Sequence, residues 1–152
     1  MSITATAGGN QTILLATFFV RDALCGLDAA GIQEVIRLGP LTPVRHSAPD
    51  VAGILNLRGK IVTILDLGQR LGFSKAVPSG DSRIFIIEDR NEFVGLLVDR
   101  VDEVVEVEHD QWQAPPANVR GMQGKFFQGV YRAGSRAITV LDPGPILAEG
   151  SI

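Results

Sequence analysis

Cysteine is nearly absent: Cys25 stands alone among 152 residues. A single thiol excludes an internal disulfide framework, and with only two histidines, His46 and His109, it leaves no material for a cysteine-rich zinc site. Basic charge is in short supply too. Lys and Arg number 14 against 17 Asp and Glu, a net charge of -3, which argues against a protein that neutralises many phosphates of a nucleic acid. Long apolar runs are missing. Residues 13–16 and 18–20 are split by Thr17 and closed by Arg21 and Asp22, far short of the roughly 20 apolar residues of a membrane helix. The same stretch lacks the positively charged start of a secretory signal, so it is expected to be a first strand. Without export, Asn10-Gln11-Thr12 has no meaning as a glycosylation acceptor. The expected location is the cytoplasm.

What is present is the composition of a folded chain, 45% hydrophobic and 20% charged. At this length about 68–70% of the unfolded surface is buried on folding without help from a disulfide or metal. Residues 1–10 read as a frayed leader, and 11–20 as a strand that turns through Arg21-Asp22-Ala23 into a short partner over 24–28. Asp28 or Ala29 is expected to cap a helix over 31–37, where Ile32, Val35 and Ile36 fall at helical spacing, and Gly39-Pro40 to stop it. Pro40, Pro43 and Pro49 make 41–51 a loop. Residues 60–67 are apolar on both faces, so that strand is expected to be central. The stretch 73–82, with Pro78 and Gly80, is the best internal boundary. Further strands are expected over 83–88, 93–99, 101–107, 124–132 and 136–141, with polar turns at 89–92 and 133–135 making hairpins of the first and last pairs. The tail, 142–147, has room for one or two helical turns. Seventeen glycines suit closely curved sheets, and the architecture implied is mainly β, one or two small barrels.

Catalytic material is scarce. Neither histidine has a partner at metal-ligand spacing, Ser47 and Ser135 lack a nucleophile elbow, and Cys25, beside Leu24 and Leu27, reads as a buried inert thiol. Residues 53–60 only superficially suggest a phosphate loop. Five residues separate Gly53 from Gly59 where four are required, and Ile61 stands where a hydroxyl should meet magnesium. The stretch also runs into a strand, whereas a phosphate loop feeds a helix. Asp99, Asp102, Glu103, Glu106, Glu108 and Asp110 cluster within twelve residues, interrupted by Val101, Val104, Val105 and Val107. Without the glycine turn of a calcium loop, this is an apolar-backed segment with an acidic side, read as a solvated face or as the rim of a protein-binding surface. The phenylalanines are expected in the core, not as a base-stacking platform.

The more unusual feature is Asn56-Leu57-Arg58-Gly59-Lys60 feeding directly into Ile61-Val62-Thr63-Ile64-Leu65-Asp66-Leu67. A strand buried on both sides holds such a turn rigid. Arg58 then presents a planar donor fork to a carboxylate, in this chain or on a partner, and Glu34 is one candidate acceptor. At this motif the sequence resembles the CheW-like family of bacterial chemotaxis coupling proteins. The resemblance extends to Gly26-Leu27-Asp28 with Ile32-Gln33-Glu34-Val35, to Gly53-Ile54-Leu55, to Gly95-Leu96-Leu97-Val98-Asp99-Arg100-Val101-Asp102-Glu103-Val104, and to closing segments at 127–130 and 138–142. It covers about residues 11–148 in order.

The resemblance implies two five-stranded barrels, SH3-like or OB-like, around a shared apolar interior, with one short helix and a short C-terminal helical turn. The first barrel is expected mainly from 11–78 and the second mainly from 82–142, with strands free to cross between them. It implies an adaptor with no enzymatic step, no cofactor and no metal. Such an adaptor joins cytoplasmic tips of methyl-accepting chemoreceptors to the regulatory domain of a chemotaxis-type histidine kinase in signalling arrays. It needs no nucleic acid and no membrane insertion, and is monomeric when isolated. Carried onto this chain, Ile32, Glu34, Gly53, Asn56, Leu57, Arg58, Gly95, Val101 and Val104 line or support the partner-binding groove, with Glu34 and Arg58 forming a polar link across it. The same module serving another receptor–kinase pathway, such as surface motility or second-messenger control, is the alternative; a small-barrel enzyme is a more distant one. Two departures stand out: Cys25 replaces an aromatic before the hairpin glycine, and Thr63 replaces a frequent proline, restoring a backbone donor in the strand.

Overall fold

The computed structural model describes residues 12–108, 111–114, 118–119 and 122–148. The expected leader, the Asn10-Gln11-Thr12 acceptor as a whole, His109 and Asp110 lie outside them. The elements are β1 (Thr12–Val20), β2 (Ala23–Asp28), β3 (Ile32–Arg37), β4 (Val51–Leu57), β5 (Lys60–Asp66), α1 (Leu67–Leu71), β6 (Arg83–Asp89), β7 (Glu92–Val98), β8 (Arg100–Glu108), β9 (Asn118–Val119), β10 (Met122–Gln123), β11 (Phe127–Ala133), β12 (Arg136–Leu141) and α2 (Pro143–Ala148). The strands form two five-stranded sheets, one in the order β11-β12-β2-β1-β8 and the other in the order β3-β6-β7-β5-β4, and β9 pairs with β10. Among the described residues no helix is long and apolar enough to cross a membrane.

The sheets do not divide the chain at Pro78. The sheet holding β3, β4 and β5 is completed by β6 and β7 from beyond it, and the β1–β2 hairpin is joined by β8, β11 and β12. The physical reason is pairing: β5 lies parallel to β7 and β2 parallel to β12, and a parallel neighbour has to come from a distant part of the chain. As expected from its two apolar faces, β5 is internal, with β4 on one side and β7 on the other.

The helix expected over 31–37 is a strand. Asp28 does act as a cap, its carboxylate accepting from the Ala30 amide at 2.9 Å, but what it caps is a single 3₁₀ turn, Ala29–Gly31. Ile32, Val35 and Ile36 are β-branched and favour extended backbone, and the antiparallel ladder with β6 outweighs the helical spacing. The short helix is instead α1. Asp66 caps it by accepting from the Gln69 amide, and Gly72 ends it in the left-handed conformation, φ 114°.

The two sheets share one topology. In each, an edge hairpin (β4–β5 or β11–β12) lies parallel to a strand (β7 or β2). That strand is hairpinned to the next (β6 or β1), whose antiparallel neighbour is the other edge (β3 or β8). Apolar packing follows the same plan. Val62, Ile64, Ile84, Ile86 and Leu97 fill the inside of one curled sheet, and Ile13, Leu15, Val107, Ile138 and Val140 the inside of the other. Between them lies a shared core to which both contribute, including Phe18, Cys25 and Leu27 from one side and Leu65, Phe85 and Leu96 from the other. Phe18 and Phe85 meet edge to face at 5.0 Å between centroids, a favoured aromatic geometry.

Two arginines join the segments of the two sheets. Arg70 of α1 bonds Asp50 at 3.0 Å and donates from Nε to the Ile146 carbonyl of α2 at 2.8 Å. Arg21, in the β1–β2 turn, grips Asp99 at 3.0 Å through Nη1 and reaches the Ser74 carbonyl beyond α1. Gly68 makes the second contact possible, because a Cβ there would come within 2.9 Å of the Arg21 guanidinium.

Candidate functional site

The Asn56–Lys60 turn is built from its own sequence. Arg58 and Gly59 both have positive φ, 51° and 89°, the signature of a two-residue hairpin turn that matches the twist of its strands. Asn56 locks it by accepting the Gly59 amide at 2.8 Å. Leu57 packs partly buried against the interior of the sheet, below the turn. Arg58 is thereby aimed across the mouth of the curled sheet at Glu34 on the opposite edge strand, β3. Nη1 donates to Oε2 at 3.4 Å and Nη2 to Oε1, a two-pronged contact. Hydrogen bonding to the carboxylate, backed by its charge, holds the Arg58 guanidinium above its ordinary pKa. The pair closes an open sheet edge to edge.

Gly53 and Gly95 act from behind. A Cβ on Gly53, φ 150°, would sit 2.8 Å from the Thr42 carbonyl, so glycine is what lets the isolated bridge between Thr42 and Ile54 cover the β4 edge. Gly95 is interior: a Cβ there would meet Ile64 and Ile84 at 2.5 and 2.6 Å. Both glycines shape the sheet and offer no contact surface of their own.

Val101 and Val104 belong to the other sheet, on its edge strand β8. Val101 pairs with Phe18 and Val104 with Ala16, with a register shift between. Three-apart residues of a regular strand point to opposite faces; the bulge resets the alternation. Both valines thus lie on the Phe18 face, the one that packs on the shared core, yet at its margin they are 40% and 60% exposed. On β3, Ile32 pairs with Ile87 and Val35 with Phe85, again residues of the shared core. Ile32 packs against that core while Val35 is 46% exposed. The sequence reading thus has Ile32, Glu34, Asn56, Leu57 and Arg58 on one sheet, supported by Gly53 and Gly95, and Val101 and Val104 at the edge of the other.

Three features went unread in the sequence. Val35 counted there as part of a helix stripe, and in the sheet it is exposed beside Glu34. Ile61 is 63% exposed next to the arginine turn, although Val62 and residues 64–66 of its strand are buried. Arg136, at the start of β12, donates from Nη2 to Asp102 at 2.7 Å and from Nη1 to Glu103 at 3.4 Å. The nearest signal for it was the likeness of Gln33-Glu34-Val35 to Asp102-Glu103-Val104.

Burial pushes the Cys25 thiol up to about 12, so it is not a thiolate nucleophile at neutral pH. Among the described residues no cluster of His, Cys, Asp and Glu could hold a metal ion.

Comparison with known proteins gives the family. The family model described as CheW-like domain matches residues 15–151. The chemotaxis protein CheW of Treponema pallidum is 29% identical over 140 residues, covering 90% of this chain and 82% of its own. That of Thermotoga maritima is 32% identical over 133 residues, covering 88% and 86%. Among solved structures, the scaffolding protein TtCheW from Thermoanaerobacter tengcongensis superposes with a TM-score of 0.82 at 29% identity, over 93% of this chain and 92% of that one. With the match running nearly end to end in both sequence and fold, this chain belongs to the CheW-like family of chemotaxis adaptor proteins.

Proposed function

We propose that this protein is a non-enzymatic adaptor that couples the cytoplasmic tips of methyl-accepting chemoreceptors to the regulatory domain of a histidine autokinase. It works in the cytoplasm at receptor arrays and as a monomer when isolated. The observation that carries the reading is the exposed aliphatic margin of the shared core, Val35 on one sheet and Val101 and Val104 on the other, beside a rigid arginine turn. A helical hairpin tip has an amphipathic face of the kind that buries aliphatic anchors at such a margin, while rim charges set its orientation. The kinase domain has to be held on a different face at the same time. Receptor states then pass a signal if they hold this assembly differently by about 1–3 kcal/mol, and the adaptor itself can stay nearly rigid.

Affinity capture with the tagged chain from its native cytoplasm tests this. The expected result is a chemoreceptor and a histidine kinase recovered together, and both depleted when Arg58→Ala is combined with Val104→Asp. Recovery of neither protein by the wild-type chain would overturn the reading.

A further inference from the structure

We propose that Arg136 is a positioning residue for the Val101–Val104 face, setting the outer strand β8 as Arg58 sets β3. The inference rests on the adaptor reading for the meaning of that face, but its geometric basis is independent.

The two sheets repeat each other residue by residue, but their arginines occupy different places in the repeat. Arg58 lies in the two-residue turn, where the other hairpin has Gly134, and Arg136 opens β12 paired with Ala133, where the first hairpin has Lys60 paired with Leu57. Gly53 and Gly129 each sit at a register shift in their edge strand, and each lies where a Cβ would strike a neighbouring backbone carbonyl, Thr42 or Gln113. The next residues, Ile54 and Val130, make the isolated bridges to Thr42 and Gln113. Asp66 and Asp142 both donate their amides back, to the Asp50 and Phe126 carbonyls at 2.7 and 2.8 Å, and both start a helix. In the parallel pairs, Ile64 faces Gly95 and Val140 faces Gly26. On the opposite edges, Ile32 and Val101 pair with Ile87 and Phe18, Val35 and Val104 with Phe85 and Ala16, and a bulge lies between the two positions in each case. Glu103 therefore stands where Glu34 stands. Arg136, from the first position of β12 and not from the turn itself, reaches it at 3.4 Å, so the same acceptor position is met by an arginine from a different hairpin position.

The Arg136 contact is specific to the bulge. Adjacent residues in a regular strand point to opposite faces, so one guanidinium cannot hold two consecutive carboxylates there. Here it holds Asp102 and Glu103 together, and the Thr17 hydroxyl donates to the Glu103 carbonyl from the facing strand. Among the described residues β8 has a single ladder neighbour, β1, so these two contacts fix the bulge that puts Val101 and Val104 on one face. Arg136 itself is 41% exposed, and an exposed pair of this kind contributes little to global stability. Its effect is local.

The test uses the full chain and two purified probes from the same organism, a chemoreceptor cytoplasmic fragment and the kinase regulatory domain. Calorimetry reports affinity, and amide hydrogen exchange reports residues 101–105. Arg136→Ala is expected to melt close to wild type, to exchange faster at 101–105, and to lose about tenfold or more in affinity for at least one probe. Exchanging the charges, Arg136→Asp with Asp102→Arg, is expected to restore part of both. Should Arg136→Ala fail to fold, Arg136→Gln replaces it in the same measurements. Unchanged exchange at 101–105 overturns the proposal, whether affinity is kept or lost; a loss of affinity alone would make Arg136 a direct partner contact. If the wild-type chain binds neither probe, the adaptor reading fails and the exchange result alone decides whether Arg136 sets β8.

Discussion

Arg58 and Asp102 show how little of a residue's importance has to pass through stability. Arg58 is 69% exposed and holds its turn with a positive φ that only the hairpin requires. Replacing it with alanine removes the fork to Glu34 and leaves the apolar interior untouched, so the melting curve is expected to stay near wild type. Affinity for the receptor fragment or kinase domain, read by titration calorimetry, is expected to fall about tenfold or more; wild-type affinity for both would make Arg58 a solvated turn charge. Asp102 makes a pH prediction. The Arg136 hydrogen bond, then the Glu103 amide, hold its carboxyl below the usual carboxylate range. A depressed folded pKa means the clasp is fully present above the unfolded value of about 3.9 and is lost only as pH falls through the lower folded one. Carboxyl titration by NMR is expected to place the Asp102 midpoint below the ordinary value, and to return it toward that value in Arg136→Ala.

At the scale of an element, β8 separates apolar docking from general acidity. Val101 and Val104 are exposed while Val107 is 1% exposed in the interior, so Val104→Asp leaves the core intact and places a charge on a surface to be desolvated in the complex. Glu106 and Glu108 are exposed on the same strand; neutralising both changes long-range attraction, hence association rate and salt dependence. The receptor fragment is expected to lose far more affinity with Val104→Asp than with Glu106→Gln and Glu108→Gln together. Equal losses would favour an electrostatic face. The edge hairpins carry a second prediction. A Cβ on Gly129 would lie 2.4 Å from the Gln113 carbonyl, and backbone yields less readily than a side-chain end. Gly129→Ala is expected to cost about 1–3 kcal/mol in urea unfolding, with loss of amide protection at Gln113 and Val130.

The whole molecule depends on contacts that join its two sheets. Arg70 and Asp50 are buried, with side chains 8% and 12% exposed; the pair fixes Arg70 on α1, which donates in turn to the Ile146 carbonyl of α2. Removing one partner leaves an uncompensated buried charge, so Asp50→Ala is expected to destabilise by about 3–5 kcal/mol, whereas Arg70→Met with Asp50→Leu is expected to cost much less. Urea unfolding of the three proteins checks this, and the same cost for the single and the double variant would show that lost packing, not the stranded charge, is responsible. The sheets are expected to unfold in one transition, since the shared core cannot remain buried when either is lost.

Periodicity and turn chemistry are local, and the sequence alone determined what they govern. Runs of apolar and β-branched residues bounded by turn residues marked β1, β6, β7, β8 and β12, the polar Asp89-Arg90-Asn91-Glu92 segment declared the β6–β7 hairpin, and two apolar faces placed β5 inside a sheet. The rigid arginine turn was also legible, because an Asn-x-Arg-Gly turn sits on a buried strand; Glu34 was one candidate acceptor among the carboxylates in reach of such a fork, and the family resemblance singled it out. Residues 31–37 misled because β-branched residues at helical spacing satisfy both patterns, and only the β6 ladder chose the strand. The crossing of strands past Pro78 was settled by parallel pairing between distant segments, which leaves no local mark. The second arginine clasp stayed hidden for the same reason: Glu34 and Glu103 come to equivalent places only after both sheets have formed, and the arginines that meet them come from different positions of their hairpins. A chain writes down which stretches can be strands; which strands lie side by side, and so which exposed valines flank one apolar face, is decided by the long-range burial that brings the sheets together.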